Sequence, residues 1–135
     1  MFDTKFVIVL REDLAVWQKL NVTAFLTSGI VGAKPDLIGE AYRDATGNVY
    51  NALSVQPVIV LSAGPDLLRT ILARTLQREV RTSLYIEEMF ATGHDAANRA
   101  VFADFAPDTA NIVGLALNAD KKIADKIIKG AKLHS

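Results

Sequence analysis

The sequence predicts a three-layer α/β/α domain with a mixed, mainly parallel sheet of about four strands. Short continuous apolar runs, typical of strands that are buried on both faces, alternate with longer segments of helical periodicity. The chain has 135 residues, of which half are hydrophobic and only 22% are charged. This length and composition indicate one globular domain over residues 1–135.

The first two predicted elements are a strand and a long helix. The strand is the apolar run Phe6–Leu10, which is bounded by charged residues. The helix follows over residues 14–33, and the Lys34-Pro35 pair ends it because proline disfavours helical backbone in the residue before it.

This first helix carries a single formal charge, Lys19, in twenty residues. Successive residues placed 100° apart form two apolar faces, one with Val22, Phe25, Leu26 and Ile30, the other with Leu20, Ala24 and Val31. A helix with a solvent-facing side normally carries charges there. We therefore expect the sheet to cover one face, and a neighbouring element or a second copy of the chain to cover the other, with a homodimer as the preferred arrangement.

Residues 37–55 are predicted to form a β-hairpin. Turn-forming residues at positions 44–48 separate two short stretches that contain Tyr42, Val49 and Tyr50. The sequence leaves open whether this hairpin is a lid, a dimer arm or an ornament of the fold.

The remainder of the chain continues the alternation. The predicted elements are a strand at 58–61, a helix at 65–79, a strand at 83–86, a helix at about 96–105, a strand at 112–117 and a last helix after residue 120. Pro65 begins the second helix, Asp120 caps the last one and Gly130 closes it. The Thr92-Gly-His-Asp95 stretch resembles a capping box, which makes Thr92 the expected N-cap of the third helix.

Composition argues against several classes of function. Fifteen basic residues balance fifteen acidic ones, whereas proteins that grip nucleic acid usually carry a basic excess. The sequence has no cysteine, so disulfides and thiolate chemistry are excluded. We expect a cytoplasmic protein without a signal peptide or a membrane span, since polar residues interrupt the apolar 14–33 segment. No pattern of a metal or cofactor site is found, so none is expected.

Three residues form a candidate catalytic set. Lys19, alone on a neutral helix, could bind an anion or take part in proton transfer. Glu88 and Thr92 follow the third predicted strand, at the carboxyl end where open α/β sheets bind ligands. In this hypothesis Lys19 stabilises developing negative charge, Glu88 acts as a base and Thr92 positions substrate or water.

The candidate binding residues are Asn21, Thr23 and His94, which would line a pocket beside the catalytic set. Each candidate also has a structural alternative. In that alternative the lysine stem only covers apolar neighbours, and threonine or serine in the helix donates a hydrogen bond to a carbonyl oxygen one turn back. Glu88 could be an ordinary solvated loop residue.

The two ends of the sequence resemble the peptidyl-tRNA hydrolases of the archaeal and eukaryotic type. Arg11, Asp13 and Leu14 match the Arg-x-Asp-Leu motif at the end of that family's first strand, and Lys19 lies near its helical lysine. Glu88 and Thr92 keep the spacing of the family's aspartate and threonine. The segment NIVGLALNADKKIADKIIKGAKLH is similar to the family's last strand, acidic turn, helix and tail.

The chain looks still closer to uncharacterised bacterial relatives of that fold. Asn21-Val22-Thr23 stands where the hydrolases carry Ala-Ala-Gln, and their following histidine is absent, so tRNA is not the favoured partner. Two functions therefore remain open. One is a hydrolase that acts on an ester or amide of a small anionic substrate, and the other is a non-catalytic homodimeric binding or assembly module.

Overall fold

The computed structural model describes residues 2–135. It contains a mixed α/β arrangement of a five-stranded sheet, a separate two-stranded hairpin and four α-helices within that range. The strands are β1 Thr4–Arg11, β2 Tyr42–Arg43, β3 Val49–Tyr50, β4 Val58–Ala63, β5 Ser83–Ile86, β6 Ile112–Asp120 and β7 Lys132–Leu133. The helices are α1 Val16–Ala33, α2 Pro65–Gln77, α3 Asp95–Phe102 and α4 Lys121–Ile128, with short 3₁₀ helices at Pro35–Leu37 and Glu87–Ala91.

The sheet is mixed, as predicted, but it has five strands and is not mainly parallel. The strand order is β5-β6-β1-β4-β7, and only β1 and β4 are parallel. The pairs β1–β6, β5–β6 and β4–β7 are antiparallel. An apolar run predicts that a strand is buried on both faces, but it contains no information about direction, so the antiparallel β6 has the pattern expected of a parallel strand.

Helices cover both faces of the sheet. On one face, α1 packs Val22, Leu26 and Ile30 against residues such as Phe6 and Ile8 of β1. On the other face, α2 and α4 pack against the alternate residues of β1 and β6; this second cluster includes Val7, Val9, Leu68, Ile71, Leu115, Leu117 and Ile127. The expected three layers are therefore present.

A glycine in β6 sets the distance between α1 and the sheet. A Cβ atom at Gly114 would lie 2.8 Å from a methyl of Val22 and 3.1 Å from a methyl of Leu26. Real Cβ atoms essentially never show a contact of 2.8 Å, and a contact of 3.1 Å is unusually tight, so the lack of a side chain at residue 114 lets the helix lie this close to the sheet.

Most predicted element ends are confirmed. Pro65 is the first residue of α2, and the Asp120 side chain accepts a 3.0 Å bond from the Lys122 amide at the start of α4. Gly130, with φ of 102°, closes the last helix. The cap of α3 differs from the prediction. The Nδ1 atom of His94, and not the Thr92 side chain, accepts a 3.2 Å hydrogen bond from the Ala97 amide.

The predicted hairpin is confirmed, with Tyr42 opposite Tyr50. The Asp44 carboxylate organises its turn by accepting hydrogen bonds from Thr46, Asn48 and the Tyr50 hydroxyl. These bonds, with Asn48 and Tyr50 contributing most, hold the pKa of Asp44 well below its usual value. No helix within residues 2–135 is long and apolar enough to span a membrane.

Candidate functional site

A cleft of about 320 Å³ lies between the first turns of α1 and the segment that follows β5. This cleft, called here the aromatic cleft, is at the carboxyl end of β5, where the chain turns into the Glu87–Ala91 3₁₀ helix and then into α3. Its volume is at the lower end of the range typical of small-molecule sites.

Four aromatic rings line the aromatic cleft, from Trp17, Phe25, Tyr85 and Phe90. Trp17 and Phe90 meet edge to face with ring centroids 5.7 Å apart, and Tyr85 lies 5.7 Å from Phe25 and 5.3 Å from Phe90. Such inclined pairs are the favoured aromatic geometry. The rings hold one another in place and form apolar walls.

Polar side chains complete the lining, and they are Asn21, Thr92, His94, Asp95 and Asn98. The Thr92 hydroxyl is within hydrogen-bond distance of the Met89 carbonyl oxygen, at 2.9 Å, and of the Asn98 amide oxygen. Because His94 Nδ1 accepts from a backbone amide, the neutral ring carries its proton on Nε2. The lining therefore offers amide and imidazole groups beside the rings.

The aromatic cleft is close to electrically neutral. No lysine or arginine belongs to its lining within residues 2–135, and the one carboxylate, Asp95, forms a 2.7 Å ion pair with Arg99. Tyr85 is 4% exposed, and burial raises the pKa of its hydroxyl. The phenol, already protonated at neutral pH, therefore stays protonated to a higher pH and can act as a donor.

Ion pairs attach the segment behind the cleft to the end of β1. The Arg11 guanidinium lies 2.6 Å from an Asp13 oxygen and 2.8 Å from a Glu87 oxygen. Partial burial lowers the pKa of Arg11, but the hydrogen bonds to Glu87 and Asp13 outweigh it, so the pKa of Arg11 is raised. Arg11 thus links the end of β1 to Glu87, the first residue of the 3₁₀ helix.

Three of the six candidate residues meet at the aromatic cleft, and three do not. Asn21, Thr92 and His94 are in its lining, whereas Lys19, Thr23 and Glu88 are not. The Thr23 hydroxyl donates to the Lys19 carbonyl oxygen at 2.7 Å, a bond within the helix. The Glu88 carboxylate accepts from Asn111 at 2.7 Å. The expected convergence of Lys19, Glu88 and Thr92 on one cleft is therefore not found.

Several residues of the aromatic cleft were not among the sequence candidates. Tyr85 lies inside a predicted buried strand, where an aromatic residue indicates core rather than a site. Trp17 and Phe90 come from distant parts of the chain, and only the fold brings them together. Asn98, a polar residue in the short predicted third helix, was a sequence signal that could have added it to the candidates. Within residues 2–135, no group of three histidine, aspartate or glutamate residues could hold a metal ion.

Comparison with known proteins identifies the family. A family described as "Protein of unknown function (DUF2000)" matches residues 4–135, and the chain belongs to it. A solved structure of a protein of unknown function from Agrobacterium tumefaciens strain C58 is 66% identical, covers all of both chains and superposes with a TM-score of 0.99. No curated protein matches the sequence.

Proposed function

We propose that this DUF2000 chain is a homodimeric binding module that holds a small, uncharged, planar molecule in the aromatic cleft. The observation that carries the proposal is the lining itself. Four aromatic rings lie beside two asparagine side chains, and no lysine or arginine of residues 2–135 belongs to the lining. Aromatic walls favour flat rings, and amides recognise polar groups at the edge of such rings.

In this proposal the chain shares the fold of the peptidyl-tRNA hydrolases but has lost their chemistry. The order of elements supports it, since Arg11 ends β1, Asp13 lies between β1 and α1, and Thr92 follows β5. A shared fold does not carry an activity with it. Among residues 2–135, no lysine or arginine lines the aromatic cleft to match the phosphates of tRNA or another anionic substrate.

Dimerisation is proposed through the outer face of α1. Val16, Leu20 and Ala24 recur every fourth residue there, and Leu20 is 67% exposed in the single chain. The exposed residues of α1 within 16–33 include no charged side chain. A self-complementary apolar patch of this kind suits the two-fold symmetry of a homodimer.

A hydrolase remains the second candidate because of one observation at Glu88. Its Oε2 atom is buried and has no hydrogen-bond partner within the described residues, so this oxygen could accept a proton. In that alternative Lys19 and Glu88 act on an anionic ester or amide that binds outside the aromatic cleft.

Matched ring pairs test the binding proposal. Nicotinamide and indole, followed by protein-observed NMR, should shift amides around Tyr85 and Thr92, whereas nicotinate and indole-3-carboxylate should bind less well. Trp17→Ala should weaken binding roughly tenfold because it removes one wall. Lys19→Ala, the matched control, should change nothing. Binding of neither neutral ring up to about 10 mM would contradict the proposal, since small rings can reach such affinities in a good site.

Two further measurements separate the candidates. Light scattering after size exclusion should give a dimer that Leu20→Asp converts to a monomer, and a monomer at micromolar concentration would contradict the dimer. Cleavage of a peptidyl-tRNA or another anionic ester that is lost in both Lys19→Ala and Glu88→Gln would instead establish the hydrolase.

A further inference from the structure

A second depression, larger than the aromatic cleft, lies at the opposite end of α1. This depression, called here the basic groove, has a volume of about 750 Å³. It is bounded by the last turns of α1, the residues that lead into β5 and the end of β6. It shares no lining residue with the aromatic cleft.

Two cations line the basic groove without a counter-charge. Lys34 and Arg81 belong to its lining, and no aspartate or glutamate of the described chain does. Neither cation is part of an ion pair within residues 2–135. Since the whole chain is electrically neutral, two unpaired cations at one concave surface are a local excess of positive charge.

The ammonium of Lys34 is held in a fixed position. It donates to the side-chain oxygen of Asn118 at 2.7 Å and to its main-chain oxygen at 3.1 Å. Asn118 in turn donates to the buried Gln56 at 2.9 Å, and Gln56 donates to the Thr4 carbonyl oxygen at 2.7 Å. An ammonium has three N–H groups, so one remains for a ligand.

The rest of the lining includes small and polar residues. Gly29 and Gly32 belong to it, and Thr82 and Ser83 contribute hydroxyl groups. A Cβ atom at Gly29 would overlap the Ser83 hydroxyl, whereas one at Gly32 would meet nothing within 4 Å. Gly32 therefore has room for a side chain, and this lining position offers a means of obstructing the groove.

We propose that the basic groove binds a small molecule that carries a phosphate group. An arginine fork and a positioned ammonium are the usual partners of phosphate oxygens, and hydroxyl groups can donate to the remaining ones. The volume admits more than a lone phosphate and suits a phosphorylated metabolite of about nucleotide size. This site is independent of the function proposed for the aromatic cleft.

The test is an NMR titration of the full chain with inorganic pyrophosphate and, separately, with citrate as a carboxylate of similar charge. Pyrophosphate should shift the amides of Gly29, Gly32 and Ser83, and citrate should bind more weakly. Arg81→Ala should reduce the pyrophosphate affinity roughly tenfold to a hundredfold, the expected effect of losing a charged hydrogen bond. Arg78→Ala is the matched control, since Arg78 is a nearby arginine outside the lining, and it should bind as the wild type does.

A second variant protects the test against a failure to fold. Gly32→Leu places a side chain in the open part of the groove, and leucine favours helix more than glycine does, so the variant should fold and lose binding. Shifts that instead follow the lysines of α4, or unchanged binding in both Arg81→Ala and Gly32→Leu, would overturn the proposal. No saturable shift up to about 10 mM pyrophosphate would overturn it as well, because a positioned pair of cations should reach that affinity.

Discussion

The aromatic cleft and the basic groove lie at the two ends of the same helix and the same strand, yet their chemistry is opposite. Trp17 and Asn21 of α1 line the cleft, while Gly29 and Gly32 of α1 line the groove. Within the described chain, the cleft has aromatic walls and one neutralised carboxylate, and the groove has two free cations. A helix without charges along most of its length thus borders a nearly neutral cleft at one end and a groove with two cations at the other.

The proposed anion site also differs in position from the one that the sequence suggested. The lone lysine of the helix, Lys19, pointed to an anion near the start of α1, but the cleft there lacks a basic lining residue within residues 2–135. The unpaired cations that line the basic groove are Lys34, which follows the helix, and Arg81, which precedes β5. Position along the helix, more than scarcity of charge, decides which lysine meets a concave surface.

The largest effect should come from loosening the helix that both regions share. Leu26→Ala removes a side chain that is 2% exposed between α1 and the sheet. Such a truncation should lower the free energy of unfolding by about 2–5 kcal/mol and weaken binding at both ends of α1. Urea denaturation measures the change. Leu53→Ala, an exposed leucine in the hairpin, is the control and should stay within about 0.5 kcal/mol of the wild type. Equal losses in the two variants would mean that α1 is not seated as described.

The next effect concerns how closely α1 approaches the sheet. Gly114→Ala adds a methyl 2.8 Å from Val22 and should lower the free energy of unfolding by about 1–3 kcal/mol through overpacking. The double variant with Val22→Ala provides a check, because it removes the clashing methyl. Part of the loss should then be recovered relative to the two single changes added together, and strict additivity would argue against the contact.

These two positions show how far sequence reasoning extends. The strands Phe6–Leu10 and Ser83–Ile86 and the buried residues of α1 follow from periodicity, because burial leaves a pattern along the chain. Strand direction and the two-residue β7 leave no such pattern. Gly114 sits in an apolar run that looks uniform, and its role appears only when α1 is placed above it.

The site was partly predictable for a similar reason. Thr92 and His94 follow the third predicted strand, and Asn21 is a polar residue in the interior of the nearly uncharged first helix. These features made the three residues candidates, and the structure places them in one lining. The walls were not predictable, since Tyr85 and Phe90 are indistinguishable from core residues in the sequence. Whether aromatic residues form a binding surface depends on which rings the fold leaves uncovered.

A smaller effect should separate the groove from the cleft. Gln56 is 5% exposed and links Thr4 to Asn118. Gln56→Ala removes the acceptor of the Asn118 amide group, so Asn118 should hold the Lys34 ammonium less firmly. The loss of buried hydrogen bonds should lower the free energy of unfolding by about 1 kcal/mol. The loss is limited because water can replace Gln56 as the partner of the remaining polar groups. Pyrophosphate binding should weaken while ring binding in the aromatic cleft is unchanged. A parallel loss at both sites would show that the network supports the whole sheet and not the groove.

The smallest effect should be confined to the hairpin that follows the groove end of α1. The folded pKa of Asp44 lies well below its unfolded value near 3.8, so its contribution to the order of the turn is present above about pH 4. That contribution declines as the pH falls from there toward the folded pKa, because protonation removes the charge that Asn48 and Tyr50 stabilise. NMR signals of Tyr50 should broaden or shift over this acid range in the wild type and should be insensitive to it in Asp44→Asn. The sheet, monitored at Tyr85, should not respond in the same range. A simultaneous change at Tyr85 would mean that the hairpin is coupled to the aromatic cleft and would favour a lid over a separate arm.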